Sequence, residues 1–160
     1  MKKIIFLIVF ISLIFPSYSQ EKYENSPSGF YINPFVGYSF GPQKGVSTGI
    51  DFAYKFSNGI CLGANASYNL RKNEHEPRTS CILAYEMPLT QRMLVYFGIG
   101  AGAAFPQQNP VYPFLHCRLS FGVNVWKDII AIYFGYDSKL LFASSFTENS
   151  NFEHGLTLNV

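Results

Sequence analysis

Charge is scarce in this chain. Asp, Glu, Lys and Arg together make up 14% of its 160 residues, and the formal net charge is only +2. That balance lacks the basic excess a nucleic-acid partner requires. Cysteine is limited to Cys61, Cys81 and Cys117. Their spacing forms no metal-ligand motif, and the sequence has no Gly-rich phosphate loop or dinucleotide fingerprint. No amphipathic helical period appears. Beyond residue 15 no apolar run is long enough for a membrane-spanning helix. The expectation is therefore a chain with no metal and no cofactor, and not a helical membrane protein.

What is present is aromatic and apolar: Phe, Tyr and Trp supply 18% of the residues, and there are 13 glycines. The N-terminus sets the compartment. Lys2 and Lys3 precede an unbroken apolar run from Ile4 to Phe15. Pro16 ends it, and Ser17-Tyr18-Ser19 places small residues before a cut. This pattern predicts a signal peptide over residues 1–19, cleaved after Ser19. The run is shorter than the ~20 residues of a spanning helix, and the absence of Cys after the cut argues against a lipoprotein signal. Cleavage removes two lysines and leaves equal numbers of acidic and basic side chains. Roughly 140 residues remain, enough for one domain. Residues 20–28 read as a short polar lead and 29–160 as the domain itself.

The domain is organised by a period of two. In Val46–Phe56 every even position is apolar or Thr, and every odd position is small or charged. That is a strand signal, and it recurs along the chain. The predicted strands are Gly29–Phe40, Val46–Phe56, Ile60–Leu70, Ser80–Met87, Arg92–Phe105, Val111–Trp126, Ile129–Phe142 and Phe152–Val160. Connections after the second, fourth and sixth strands are tight, whereas the others are looser and more polar. Short turns at one end and longer loops at the other describe a transmembrane barrel. A three-residue hairpin at Ser57-Asn58-Gly59 pairs Lys55 with Cys61. A two-residue turn at Lys127-Asp128 pairs Arg118 with Asp137. A one-residue slip would invert either face, so this agreement checks the register.

The apolar faces are continuous, with His154 their main polar interruption. The opposite faces carry Asp51, Lys55, Glu86, Arg92, Arg118, Asp137, Lys139 and Glu153, an equal number of acids and bases. A soluble ligand-binding barrel would turn the apolar face inward; a membrane barrel turns it to lipid and keeps a polar lumen. The signal peptide, the strand length and aromatics near strand ends, among them Tyr38, Phe40, Tyr54, Tyr85, Tyr136 and Phe152, favour the membrane barrel. The fold class expected is an all-β, eight-stranded antiparallel up-and-down transmembrane barrel.

At this point the chain resembles the small eight-stranded outer-membrane barrels of Gram-negative bacteria, the OmpA/OmpX-like and opacity-type family. The resemblance rests on pattern over Gly29–Val160, including the C-terminal strand F-E-H-G-L-T-L-N-V, which ends in Val160 rather than an aromatic. It implies an outer-membrane location, insertion by the outer-membrane assembly machinery through a periplasmic chaperone route, and contact with outer-membrane lipid and lipopolysaccharide. A monomer is expected.

An eight-stranded interior is just wide enough for side chains to fill. The eight inward charges are therefore read as a lumen network, with Arg118–Asp137 its leading contact and Glu86–Arg92 neighbours across the second tight turn. The inward glycines of the fifth strand, Gly98, Gly100 and Gly102, make room for Phe114, His116 and Arg118. The charged stretch Arg71–Thr79 reads as an external loop whose Arg71, Lys72, Glu74, His75, Glu76 and Arg78 could meet other molecules; Ala143–Asn151 is a second, polar loop. Strand positions argue against an internal disulfide, because Cys81 and Cys117 lie on strands that are not neighbours. The leading function is a non-catalytic structural or surface-interaction barrel. The alternatives are a narrow, porin-like pore, a lipid-modifying enzyme, and a soluble apolar-ligand barrel. An enzyme needs a nucleophile and a base at the lipid-facing rim, and the His-x-Ser pair of the lipid A deacylase barrels is missing: His116 is followed by Cys117-Arg118 and His154 by Gly155-Leu156.

Overall fold

The structure is a computed structural model that describes residues 28–40, 44–71, 74–90, 92–107, 110–126, 130–142 and 152–160. The expected signal peptide, nearly all of the polar lead, and the Lys127-Asp128 turn lie outside these residues. Alternation of apolar and polar side chains builds eight strands: β1 (Gly29–Phe40), β2 (Gly45–Lys55), β3 (Ile60–Arg71), β4 (Glu74–Pro88), β5 (Met93–Ala104), β6 (Tyr112–Trp126), β7 (Ile130–Leu141) and β8 (Phe152–Asn159). Each pairs antiparallel with the next, and β1 pairs with β8 to close the barrel. Closure leaves no sheet edge running the length of the wall, which is what a β-structure in lipid requires.

The register follows the turns. Between β2 and β3 the Gly59 amide donates to the Phe56 carbonyl at 3.0 Å and the Phe56 amide to the Ile60 carbonyl at 2.8 Å. Gly59 has φ 84°, a left-handed conformation that a side chain would strain. Lys55 therefore sits opposite Cys61. Arg118 sits opposite Asp137, but a register shift between Asn124 and Trp126 places Trp126 opposite Ile130 rather than Ile129. A bulge absorbs the extra residue and preserves the faces beyond it. The closing seam is short, running from Phe35–Asn159 to Phe40–His154.

Three strand prolines mark where a neighbour runs out. The carbonyls of Pro34, Pro77 and Pro113 accept the amides of Val160, Phe105 and Phe142, each just past the end of its own strand. Proline cannot donate to a ladder, so a seam end is where it costs least.

One boundary differs substantially from expectation. Arg71–Thr79 is not a loop: β3 runs to Arg71, β4 starts at Glu74, and only residues 72 and 73 lie between. The longer connections at this end, called the loop end below, follow β5 and β7. The outer wall is predominantly apolar, with Phe30, Ile32, Leu62, Phe97, Phe121 and Phe134 among its exposed side chains. The interior holds the charges.

Candidate functional site: the lumen network and the outer rim

The lumen is filled in three levels. At the loop end Arg78 from β4 forks onto Glu153 from β8, with Nη1–Oε1 at 2.8 Å and Nη2–Oε2 at 2.7 Å. Such bidentate pairs fix geometry as well as charge. Glu153 also accepts from Ser39 at 3.0 Å and from Lys139 at 3.2 Å. Arg78 Nε donates to Glu76, which takes two further bonds from Arg71 Nη2, both at 3.1 Å, and one from the Tyr112 hydroxyl at 2.5 Å. Arg78 lies over the Phe114 ring at 5.9 Å. A charge cut off from water is tolerated only when paired and hydrogen-bonded, and each of these is.

In the middle, Arg118 Nη1 reaches across the lumen to Asp51 Oδ2 at 2.6 Å, while Asn65 donates to the other oxygen of Asp51 at 2.6 Å. The expected Arg118–Asp137 pair is a register pair, but its guanidinium–carboxylate distance is 3.7 Å, and Asp137 has Lys139 closer at 3.2 Å. The narrow bore lets a long arginine find a better partner on the far wall than on the adjacent strand. The guanidinium stacks on Phe35 at 5.2 Å. His116 Nδ1 stands 3.7 Å from Asp137.

At the turn end the filling changes to aromatic. Cys61, Ile82, Ala84 and Tyr96 form a buried cluster with Tyr31 and Tyr133 against it. Tyr96 and Tyr133 meet edge to face at 6.3 Å. Glu86 binds Lys55 at 2.5 Å and accepts from the Tyr133 hydroxyl at 2.6 Å.

Seven of the eight expected lumen charges thus face inward. Arg92 does not: it is exposed, in the connection before β5. That connection is pinned by the Thr90 hydroxyl, which accepts the amides of Arg92 and Met93, so the strand starts one residue late and Glu86 turns to Lys55 instead. Three residues expected in an external loop are lumen residues. Glu76 is 0% exposed and Arg78 2%, and Arg71 bonds Glu76. His75 points outward from the wall. Lys72 and the Glu74 side chain lie outside the described residues. Tyr112, Ser39, Asn65 and Tyr133 complete the network, and no charge pattern singled them out. Two strand-five glycines do what the sequence suggests: a Cβ at Gly100 would meet the His116 ring and one at Gly102 the Phe114 ring. Gly98 instead makes room for Tyr96 and Ala84.

Between the upper levels lies a void with space for about one water. Asn69, Ser80, His116 and the Nε of Arg118 line it with buried polar atoms that make no hydrogen bond among the described residues. Among the described residues no His, Cys, Asp or Glu cluster is arranged to hold a metal. Cys61, Cys81 and Cys117 are free thiols.

The sequence matches no family model and no curated protein. Solved structures do match. Neisserial surface protein A aligns over 84% of this chain and 99% of its own, at 11% identity and a TM-score of 0.64. A de novo designed transmembrane β-barrel aligns over 85% and 97%, at 14% identity and a TM-score of 0.50. The fold is that of the eight-stranded transmembrane barrels. The outer membrane enzyme PagL also aligns, over 80% of this chain and 95% of its own, at 13% identity and a TM-score of 0.49. At such identities the likeness shows the fold alone. The barrel wall carries its apolar side outward and its charges inward, which is the polarity of a membrane barrel rather than of a soluble ligand-binding one.

Proposed function

We propose that this chain is a non-catalytic barrel of the bacterial outer membrane, delivered by a cleaved signal peptide and serving a structural or surface-interaction role. The observation that carries this reading is the distribution of polarity: acids and bases pair inside, and large apolar side chains cover the outside. The filled bore supports a structural role over a transport role. With Arg71, Glu76 and Arg78 committed to the lumen, contacts to other molecules fall to the connections after β5 and β7. The outward His154 has Tyr136, not a carboxylate, on Nδ1, which favours a non-catalytic reading.

Gel mobility of the membrane-fraction protein, boiled against unboiled, tests the barrel. A shift on boiling is expected, with the protein in the outer-membrane fraction. Recovery in the soluble periplasmic fraction without a shift would overturn the reading. A narrow pore is the second reading, favoured by the polar void beside His116. Planar-bilayer recordings separate the two, and no stepwise conductance is expected from the filled bore.

A further inference from the structure

The outer wall carries two histidines, and both stand within the first three residues of their strands at the loop end. His75 is second in β4 and His154 third in β8. Each is exposed, and each lies against a tyrosine of the preceding strand. The rings of Tyr68 and His75 are 5.8 Å apart and tilted by 33°. Those of Tyr136 and His154 are 5.8 Å apart and stacked at 17°, with Phe152 on a second side at 6.3 Å and 5°. The His75 and His154 seams lie on different parts of the barrel wall, β3–β4 and β7–β8.

An imidazole facing acyl chains would leave at least one ring nitrogen without a lipid partner and would be costly. At the end of the apolar belt it meets lipid headgroups instead, where amphipathic rings are at home. The Tyr136 hydroxyl and His154 Nδ1 are 2.7 Å apart. In the tautomer in which the phenol donates, Nδ1 accepts and Nε2 carries the N–H. Stacking between Tyr136 and Phe152 holds the ring, and in that tautomer its N–H donor is directed away from the Tyr136 hydroxyl. A phosphate diester oxygen is an acceptor and carries the negative charge that such a donor favours.

We propose that Tyr68–His75 and Tyr136–His154 are two binding sites for the phosphate of a lipid headgroup, and that together they set the depth of the barrel at its loop end. The proposal rests on the membrane reading above and names a ligand for the outer surface. Two sources could present the same chemistry, a lipid phosphodiester and free phosphate.

Solid-state NMR distinguishes them. The full chain, with 15N-labelled histidine, is reconstituted in phosphatidylglycerol vesicles, and 15N–31P dipolar dephasing is read for each imidazole. The chain has only three histidines, and His116, 6% exposed in the lumen, is the internal control. Dephasing at His75 and His154 but not at His116 is expected. His75→Phe and His154→Phe keep an aromatic ring and should each delete one dephased signal without loss of the heat-dependent gel shift. A folded, inserted barrel with no dephasing at either histidine, or at only one, overturns the proposal while leaving the membrane reading intact. Failure to insert, read on the gel beforehand, overturns both. In a phosphorus-free glycoside detergent with added inorganic phosphate no dephasing is expected. Dephasing there as strong as in vesicles would make these free-phosphate sites and overturn the headgroup assignment.

Discussion

The loop-end half of the lumen and the turn-end half are filled by different chemistry. Above, Arg78, Glu76, Glu153, Arg71 and Lys139 form a shared network in which each carboxylate takes several donors. Below, tyrosine rings and Cys61 fill the bore around the ion pair Lys55–Glu86. The difference tracks access to water. The Lys55 and Glu86 side chains are 19% and 8% exposed, whereas Arg78, Glu153 and Glu76, at the centre of the upper network, are 2%, 1% and 0%, with Arg71 and Lys139 at its margin at 13%. A charge near an open mouth can leave part of its hydration in place and needs fewer protein partners. A charge sealed in the wall needs its whole shell supplied by protein.

The largest effect should come from breaking the sealed half. Glu153→Gln removes the charge that Arg78 and Lys139 share, and breaking a buried pair by removing one partner costs ~3–5 kcal/mol. Urea unfolding in lipid vesicles would read this loss, and a loss below about 1 kcal/mol would mean that the network is hydrated after all. Next is the contrast between inside and outside. Arg118 is at home in the lumen, stacked on Phe35 and bonded to Asp51. Three residues along the same strand Phe121 faces out and is 57% exposed. Phe121→Arg should cost ~2–4 kcal/mol if it lies near the bilayer midplane, with impaired insertion seen as reduced heat-shifted protein. Normal assembly would show that the outer wall does not meet acyl chains.

Most of the barrel was legible in the sequence because one face of every strand meets an apolar environment, so a period of two is imposed throughout. The turn-end half was also legible in outline, since tight turns fix register locally: Gly59 sets the Lys55–Cys61 pair. At the loop end the pattern departs from the structure at the start of β4. Glu74, Glu76, Arg78 and Ser80 stand at alternate positions, the same parity as Ile82, Ala84 and Glu86, so the signal for a strand was present. It was obscured because charges normally mark a loop, and only a polar lumen makes a charged face an inside face. Which charge pairs with which was not legible. Arg118 prefers Asp51, far off in sequence, because arginine length and bore width decide the pairing, and neither leaves a mark on local pattern. The alternation predicts a two-residue turn at Lys127-Asp128, whereas β6 carries a bulge just before it, whose extra residue the alternation alone does not reveal.

A third prediction sharpens the comparison through the backbone. A Cβ at Gly100 would run into the His116 ring and stand 2.5 Å from the Cys81 carbonyl, whereas one at Gly98 would meet Tyr96 and Ala84 at 3.1–3.3 Å. Gly100→Ala should therefore destabilise by ~1–3 kcal/mol, as overpacking does, and Gly98→Ala by clearly less. Equal losses in urea unfolding would mean that the middle of the lumen yields as readily as the tyrosine cluster.

The smallest effect should come from the half open to water. Tyr133→Phe removes the hydroxyl that donates to Glu86 at 2.6 Å but leaves the ring against Tyr96. Glu86 keeps Lys55, and with side chains 8% and 19% exposed the pair lets water reach the vacated position more readily than at Glu76. A loss of about 1 kcal/mol is expected, the net worth of an ordinary hydrogen bond, with gel mobility unchanged. Tyr112→Phe removes the matching hydroxyl from Glu76, which is fully buried, where no water can enter without displacing protein. The same chemical deletion should therefore cost more at 112 than at 133. If the two variants unfold at the same urea concentration, water access does not separate the halves, and the tyrosines and the ion pairs are interchangeable ways of filling the same bore.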